Sequence, residues 1–207
     1  MKIINIEDLP RKEQFTHFTG NVMYGITTKL DITNAYNFAK KKNISVYYCL
    51  GHTIYSAMKE IDEFNIRYVD GKLVLGNCDI LSFCSLRKNE TVMRFIGVKF
   101  CKDVVKFCKT ATKLNEEQIS LYGSTPCPLY KYACYFSCTP WFQFSCLTNP
   151  TTNDEYDFIP RLAWDKFEFK KDKVTTNFTI EVNHKLIDGY LIGLLLQKIN
   201  EKLASLN

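Results

Sequence analysis

The stretch Val182-Asn183-His184-Lys185-Leu186-Ile187-Asp188-Gly189-Tyr190 decides how this chain is read. Residues 174–183 carry a strand pattern, and residues 189–206 repeat apolar side chains at helical spacing, so His184 stands at a strand-to-helix junction in the order H-x-x-x-D-G. A histidine there projects from a rigid support, and imidazole is the side chain whose ordinary pKa lets it accept a proton near neutrality. Read alone, the motif fits a general base and a structural histidine beside an Asp-Gly turn equally well.

The elements before the junction set its architectural context. Pro10 opens a helix over 11–18, where its missing N–H does no harm. A strand is predicted over 22–32. Thr33 then caps a helix over 34–42, and Ser45 caps a second one through Val46, Cys49, Leu50, Ile54, Ala57 and Ile61. Two β-rich runs, 66–69 and 72–75, flank Asp70-Gly71 and predict a hairpin. Strands are expected at 80–86 and 92–98, and Asp103 caps a helix reaching about Ser120. After a loop at 125–128, strands follow at 132–136, 141–147, 161–169 and 174–183. Hairpins without a regular βαβ repeat predict an α/β two-layer sandwich, a large mixed and mostly antiparallel sheet with helices packed on it.

At 207 residues and 46% apolar content, the chain fits one domain, residues 1–207, with a core of ordinary size. The net charge of +5 is scattered, which argues against nucleic acid and mildly favours an anionic small ligand. Nine cysteines without a C-x-x-C pair suggest neither a disulfide framework nor a zinc site, so no metal is expected and a reducing compartment fits. Acidic residues reach the N-terminus too early for a secretory signal, and no apolar run has membrane-spanning length. These features predict a complete cytoplasmic protein without a membrane partner.

The sequence resembles the chloramphenicol acetyltransferase family along nearly its full length. The resemblance is carried in order by Arg11-Lys12-Glu13-Gln14-Phe15, Lys29-Leu30-Asp31-Ile32-Thr33, Glu63-Phe64 and Asp70-Gly71-Lys72-Leu73-Val74. It continues through Ser137-Cys138-Thr139-Pro140-Trp141, Ile159-Pro160, Lys166-Phe167 and the His184 motif. It implies a homotrimer with active sites between subunits, in which acetyl-CoA and a hydroxyl acceptor, chloramphenicol first, enter from opposite sides. His184 then takes the acceptor's hydroxyl proton, and the oxygen attacks the thioester directly; the outcome is antibiotic resistance. Ser137 matches the serine that donates to the oxyanion. Asp188 matches a residue that forms a structural salt bridge with the arginine at Arg11 rather than orienting the histidine, and Gly189 is expected to supply backbone freedom at the junction. His17, Phe18, Tyr24 and Val92 fall at acceptor-pocket positions. Trp141, Lys166 and Phe167 match positions that contact CoA, although core or surface packing explains them as readily.

The chain departs from the family at several places. Asn183 precedes the catalytic position where paired histidines are usual, and Ala163 replaces a threonine that helps to bind the transition state through water. Phe18 stands for a tyrosine, Tyr24 for a smaller residue and Val92 for a phenylalanine, changes able to redirect the acceptor. Two alternatives follow: the same reaction on a different small alcohol, or a poorly active trimeric ligand-binding protein. A dihydrolipoyl acyltransferase core shares the motif, but no lipoyl domain, linker or subunit-binding segment is visible here. His52, on an apolar helix without a partner nucleophile, reads as a packed residue.

Overall fold

The computed structural model describes residues 2–76, 79–87, 89–118 and 132–207. The loop expected at 125–128 lies outside them. In chain order the elements are β1 (Lys2–Ile4), α1 (Lys12–His17), β2 (Met23–Asp31), α2 (Thr33–Lys41), α3 (Val46–Met58), β3 (Ile66–Val69), β4 (Lys72–Leu75), β5 (Ile80–Ser85), β6 (Arg94–Lys99) and α4 (Val104–Glu117). There follow β7 (Ala133–Thr139), β8 (Arg161–Asp165), β9 (Glu168–Lys170), β10 (Lys173–Asn183) and α5 (Gly189–Ala204).

The large sheet has strand order β2-β10-β8-β7-β5-β6, with β9 also pairing β10. Only the β5–β7 and β7–β8 pairings are parallel among these strands, so the mixed, mostly antiparallel α/β sandwich is the observed fold. The 66–75 hairpin forms as its Asp-Gly signal requires, with Asp70 at φ 50 and Gly71 at φ 78. It does not join the large sheet: β1 pairs with β4 to make a separate three-stranded sheet, which alternation alone did not announce.

Strand β10 organises the molecule because its two faces do different work. Phe178, Ile180 and Val182 are buried in the core under the helices. Thr179, Glu181 and Asn183 point to the opposite face, where alternation places every second residue, and they are buried too. Asn183 bonds the 155–157 loop, while the 142–150 segment covers Thr179 and Glu181. Its backbone is bound by β10 side chains at every second position: Asn177 Nδ2 donates to Phe144 O (2.9 Å), Thr179 Oγ1 to Leu147 O (3.4 Å), and Asn149 N donates to Glu181 Oε2 (2.7 Å). The strand expected at 141–147 is therefore an irregular strap, and Trp141 and Phe142 remain 57% and 54% exposed.

The expected strand at 161–169 is likewise two strands. Three residues separate Trp164 from Glu168 while two separate their partners Phe178 and Thr175, which is a bulge. At the bulge the fully buried Asp165 carboxylate accepts from Thr176 Oγ1 (2.8 Å), Asn177 N (2.9 Å), Asn177 Nδ2 (2.7 Å) and Phe144 N (3.1 Å). Four neutral donors satisfy a charge that burial otherwise makes costly.

Helix starts follow the sequence in part. Asp103 caps α4 by accepting from Lys106 N (3.0 Å). At α2 the capping falls to Asp31, whose Oδ1 accepts from Thr33 N (3.0 Å) and Oγ1 (2.6 Å), and Ser45 makes no side-chain cap bond at α3. The central helix α3 touches α2, α4 and α5 and meets the sheet at Gly51. A Cβ there would stand 2.5 Å from Phe83 Cε1 in a filled core. Gly51→Ala should therefore destabilise the protein by about 1–3 kcal/mol despite a helix-propensity gain of about 1 kcal/mol, read as a lower urea midpoint.

Candidate active site

His184 continues the pairing of β10 beyond its last strand residue, its backbone N donating to Val22 O (3.1 Å). The chain then turns tightly, with Leu186 N and Ile187 N both donating to Asn183 O (3.2 Å each). Asn183, buried, receives Lys185 N on its side-chain oxygen (3.0 Å) and donates to Glu155 O (3.1 Å). The residue that replaces the usual first histidine thus stitches the turn to the 155–157 loop. Lys185 is buried beside it, paired with Glu155 (2.7 Å) and lying over the Phe15 and Tyr156 rings.

Helix α1 clamps this turn at three points. Gln14 Nε2 donates to the His184 carbonyl, the Phe18 ring lies 4.7 Å from the imidazole, and Arg11 Nε meets Asp188 Oδ2 at 2.8 Å. Arg11 also reaches Glu63 (3.2 Å), so one guanidinium joins the N-terminal helix, the His184 turn and the 62–65 turn. The expected Arg11–Asp188 salt bridge is present. Asp188 has a second task as N-cap of α5, accepting from Leu191 N (2.9 Å). Gly189 corrects an expectation: it has no positive φ and only open space at its Cβ position, so within one chain it serves no backbone strain.

The Tyr24 ring also lies against His184, its centroid 4.7 Å from the imidazole. His184 Nδ1 meets the Ile187 carbonyl at 2.9 Å. A carbonyl only accepts, so Nδ1 carries a hydrogen, and in the neutral imidazole this leaves the lone pair on Nε2, the arrangement a general base needs. His17 is exposed and reaches the cluster only through an edge contact with Phe18 (5.2 Å). His52 is buried, stacked on Phe100, and bonded to Cys101 O (2.9 Å), and burial lowers its pKa.

The other site candidates lie elsewhere in the same chain. Ser137 is level with Ala163 and, through it, with Thr179. His184 is two strand spacings away and five residues further along β10, which separates the two by roughly 19 Å. Alternation also puts Ser137 on the strap-covered face and His184 at the helix-facing end. Val92 precedes β6, the edge strand opposite β2, and is 51% exposed. Ala163 is wholly buried. Trp141, Lys166 and Phe167 come together on the rim of a cavity of about 580 Å³, walled by Tyr47, Cys138 and Trp164. Burial and the nearby Asp165 push the Cys138 thiol up to about 12. His184 and Ser137 therefore stand apart in one chain, and the cavity, lined by Cys138 and not by Ser137, opens on the other face of the sheet from Ser137. The roles of Gln14 and Asn183 were not legible in the sequence because each acts through a tertiary hydrogen bond, and that of the Ile187 carbonyl because it depends on where a backbone atom points.

Asp188 makes the junction sensitive to acid. Burial alone would raise its carboxyl pKa, but the Arg11 hydrogen bond, the Leu191 and Tyr190 amides and the Arg11 charge outweigh burial and lower it. A carboxyl lowered on folding stabilises above the unfolded value of about 4, and that contribution fades as pH falls through the folded value. Asp188→Asn should flatten this acid limb in melting temperature measured from pH 6 downward to about 2.5, while a limb unchanged by the substitution contradicts the assignment.

Comparison with known proteins bears on the whole chain. A family model described as chloramphenicol acetyltransferase matches residues 1–200. A chloramphenicol acetyltransferase of Staphylococcus aureus is 28% identical over 212 residues, covering 95% of each chain, and one of Bacillus pumilus is 27% identical, covering 90% of this chain and 86% of its own. A solved chloramphenicol acetyltransferase superposes with a TM-score of 0.85 at 23% identity, covering 98% and 99% of the two chains. The cubic core of a pyruvate dehydrogenase complex superposes at 0.67 with 16% identity, covering 89% and 82%. The match to residues 1–200 places the chain in the chloramphenicol acetyltransferase family, a family of enzymes.

Proposed function

We propose that the chain is an acetyl-CoA-dependent O-acetyltransferase with chloramphenicol as its first acceptor, and that each site is completed by a second copy. The observation that carries this reading is the division of the site: His184, its Nδ1 engaged by a carbonyl, and Ser137 stand roughly 19 Å apart in one chain, too far to act on one tetrahedral intermediate. A cyclic trimer repeats one heterologous contact, so it can set the His184 half-site of each copy against the Ser137 half-site of the next.

In that arrangement Nε2 takes the acceptor's hydroxyl proton as its oxygen attacks the acetyl carbonyl carbon. The carbonyl oxygen becomes the oxyanion to which Ser137 donates a hydrogen bond. Collapse breaks the carbon–sulfur bond, and the proton on Nε2 passes to the departing thiolate. The cavity rimmed by Trp141, Phe167 and the Lys166 cation has the aromatic walls and positive charge that suit an adenine nucleotide carrying phosphates. Phe18 and Tyr24 present aromatic faces to an acceptor reaching His184. Val92, exposed in one chain, belongs to the half-site that the second copy brings.

Purified protein should release free CoA from acetyl-CoA only when an acceptor alcohol is added, and chloramphenicol should be preferred in a panel of small alcohols. His184→Ala should cut kcat by about 10²–10⁴ and Ser137→Ala by about 10²–10³. Refolding the two inactive variants together should restore about a quarter of the wild-type rate, because random cyclic trimers reunite intact halves in that share of sites. A mixture as inactive as its parts rejects the shared site.

A further inference from the structure

One carbonyl at the junction receives two side chains: Ile187 O is met by His184 Nδ1 at 2.9 Å and by the Tyr24 hydroxyl at 3.3 Å. We propose that Tyr24 is a positioning residue for His184, its hydroxyl holding the Ile187 carbonyl where that carbonyl keeps the imidazole as the Nδ1–H tautomer. The inference rests on His184 being the base and names the device that leaves its Nε2 unprotonated.

The geometry supports this in three ways. Tyr24 pairs with Val182, two residues before His184 on the same face of β10, so its phenol passes over the imidazole, at 4.7 Å and 59°, on its way to Ile187. The amide side of the turn is anchored to Asn183, whereas both side-chain donors meet the carbonyl side, where an oxygen with two lone pairs can accept both. Without Tyr24, the Ile187 carbonyl would keep one side-chain donor, the imidazole that it orients. Finally, burial and then the Asp188 charge push the Tyr24 hydroxyl up to about 12, so it stays a neutral donor across the working range.

This reading moves Tyr24 out of the role expected from its place in the acceptor pocket. Its hydroxyl is spent on Ile187, and only its ring face is left for a ligand. The charged and titratable groups around the junction, Arg11 and His17 at the two ends of α1, Asp188 before α5, and Lys185 with Glu155, are unchanged when that hydroxyl is deleted.

The test uses protein labelled with ¹⁵N in its histidine rings, because ring-nitrogen shifts report the tautomer without any turnover. The unaltered protein should show His184 as the Nδ1–H tautomer. Tyr24→Phe should acquire a measurable share of the Nε2–H form, with kcat lower by about 3–10-fold and KM for acetyl-CoA and acceptor unchanged, the loss expected of one hydrogen bond. Tyr24→Leu, which lacks the hydroxyl and the ring, should shift the tautomer the same way. An Nε2–H form in the unaltered protein overturns the proposal whether or not the variants fold. So does a folded Tyr24→Phe with wild-type tautomer, or one whose acceptor KM rises while kcat holds, which marks a substrate-binding hydroxyl. If the tautomer shifts as expected in a protein that acetylates no alcohol, the positioning role stands and the assignment of His184 as base fails.

Discussion

The ion pair of Arg11 with Asp188 connects the first helix of the chain to its last strand-to-helix turn, and the geometry of His184 depends on that connection. Asp188 is held by two kinds of donor at once, the guanidinium and the open N-terminus of α5, so the helix start and the ion pair reinforce each other. Fixing Asp188 fixes the peptide before it, whose carbonyl is the partner of the imidazole. Arg11 brings Gln14 and Phe18 with it, one to the His184 carbonyl and one to its ring. A carboxylate four residues after a histidine invites comparison with a catalytic triad, yet here it acts through the backbone.

Strand β10 explains how one element serves both folding and chemistry. Its helix-facing residues fill the core, and its opposite face binds an irregular strap with amide, hydroxyl and carboxylate side chains. The strap begins beside Trp141, and the buried Asp165 at the bulge bonds Phe144 N, so the cavity rim is tied to the same strand that ends at His184. The polar inventory of this face is costly to bury, and its cost is offset because nearly every group there finds a fixed partner.

The proposed division of the site would give several exposed groups a common role. Val92, Trp141 and Tyr190 are large, apolar or aromatic, and exposed in one chain, and Gly189 has open space where a side chain would stand. Under the proposed assembly a second copy would be met at such groups, and the glycine would let another backbone come close to the junction.

Much of this was legible in residue order. Apolar periodicity marked the helices, Asp70-Gly71 marked its hairpin, and the ordered family segments marked the Arg11–Asp188 pair and offered His184 and Ser137 as candidates, because local conformation and short motifs are written in adjacent residues. The strap at 141–147 was misread because alternating aromatic residues look alike whether their backbone pairs with a strand or is gripped by side chains such as Asn177 and Glu181. The bulge at Asp165, the clamp by Gln14 and the shared Ile187 carbonyl were invisible for the same reason: each joins residues distant in sequence, or depends on where a backbone atom points. Which face and which edge of the sheet each site residue occupies follows from strand order and register. Only folding settles those, since pairing β10 between β2 and β8 is what carries His184 away from Ser137.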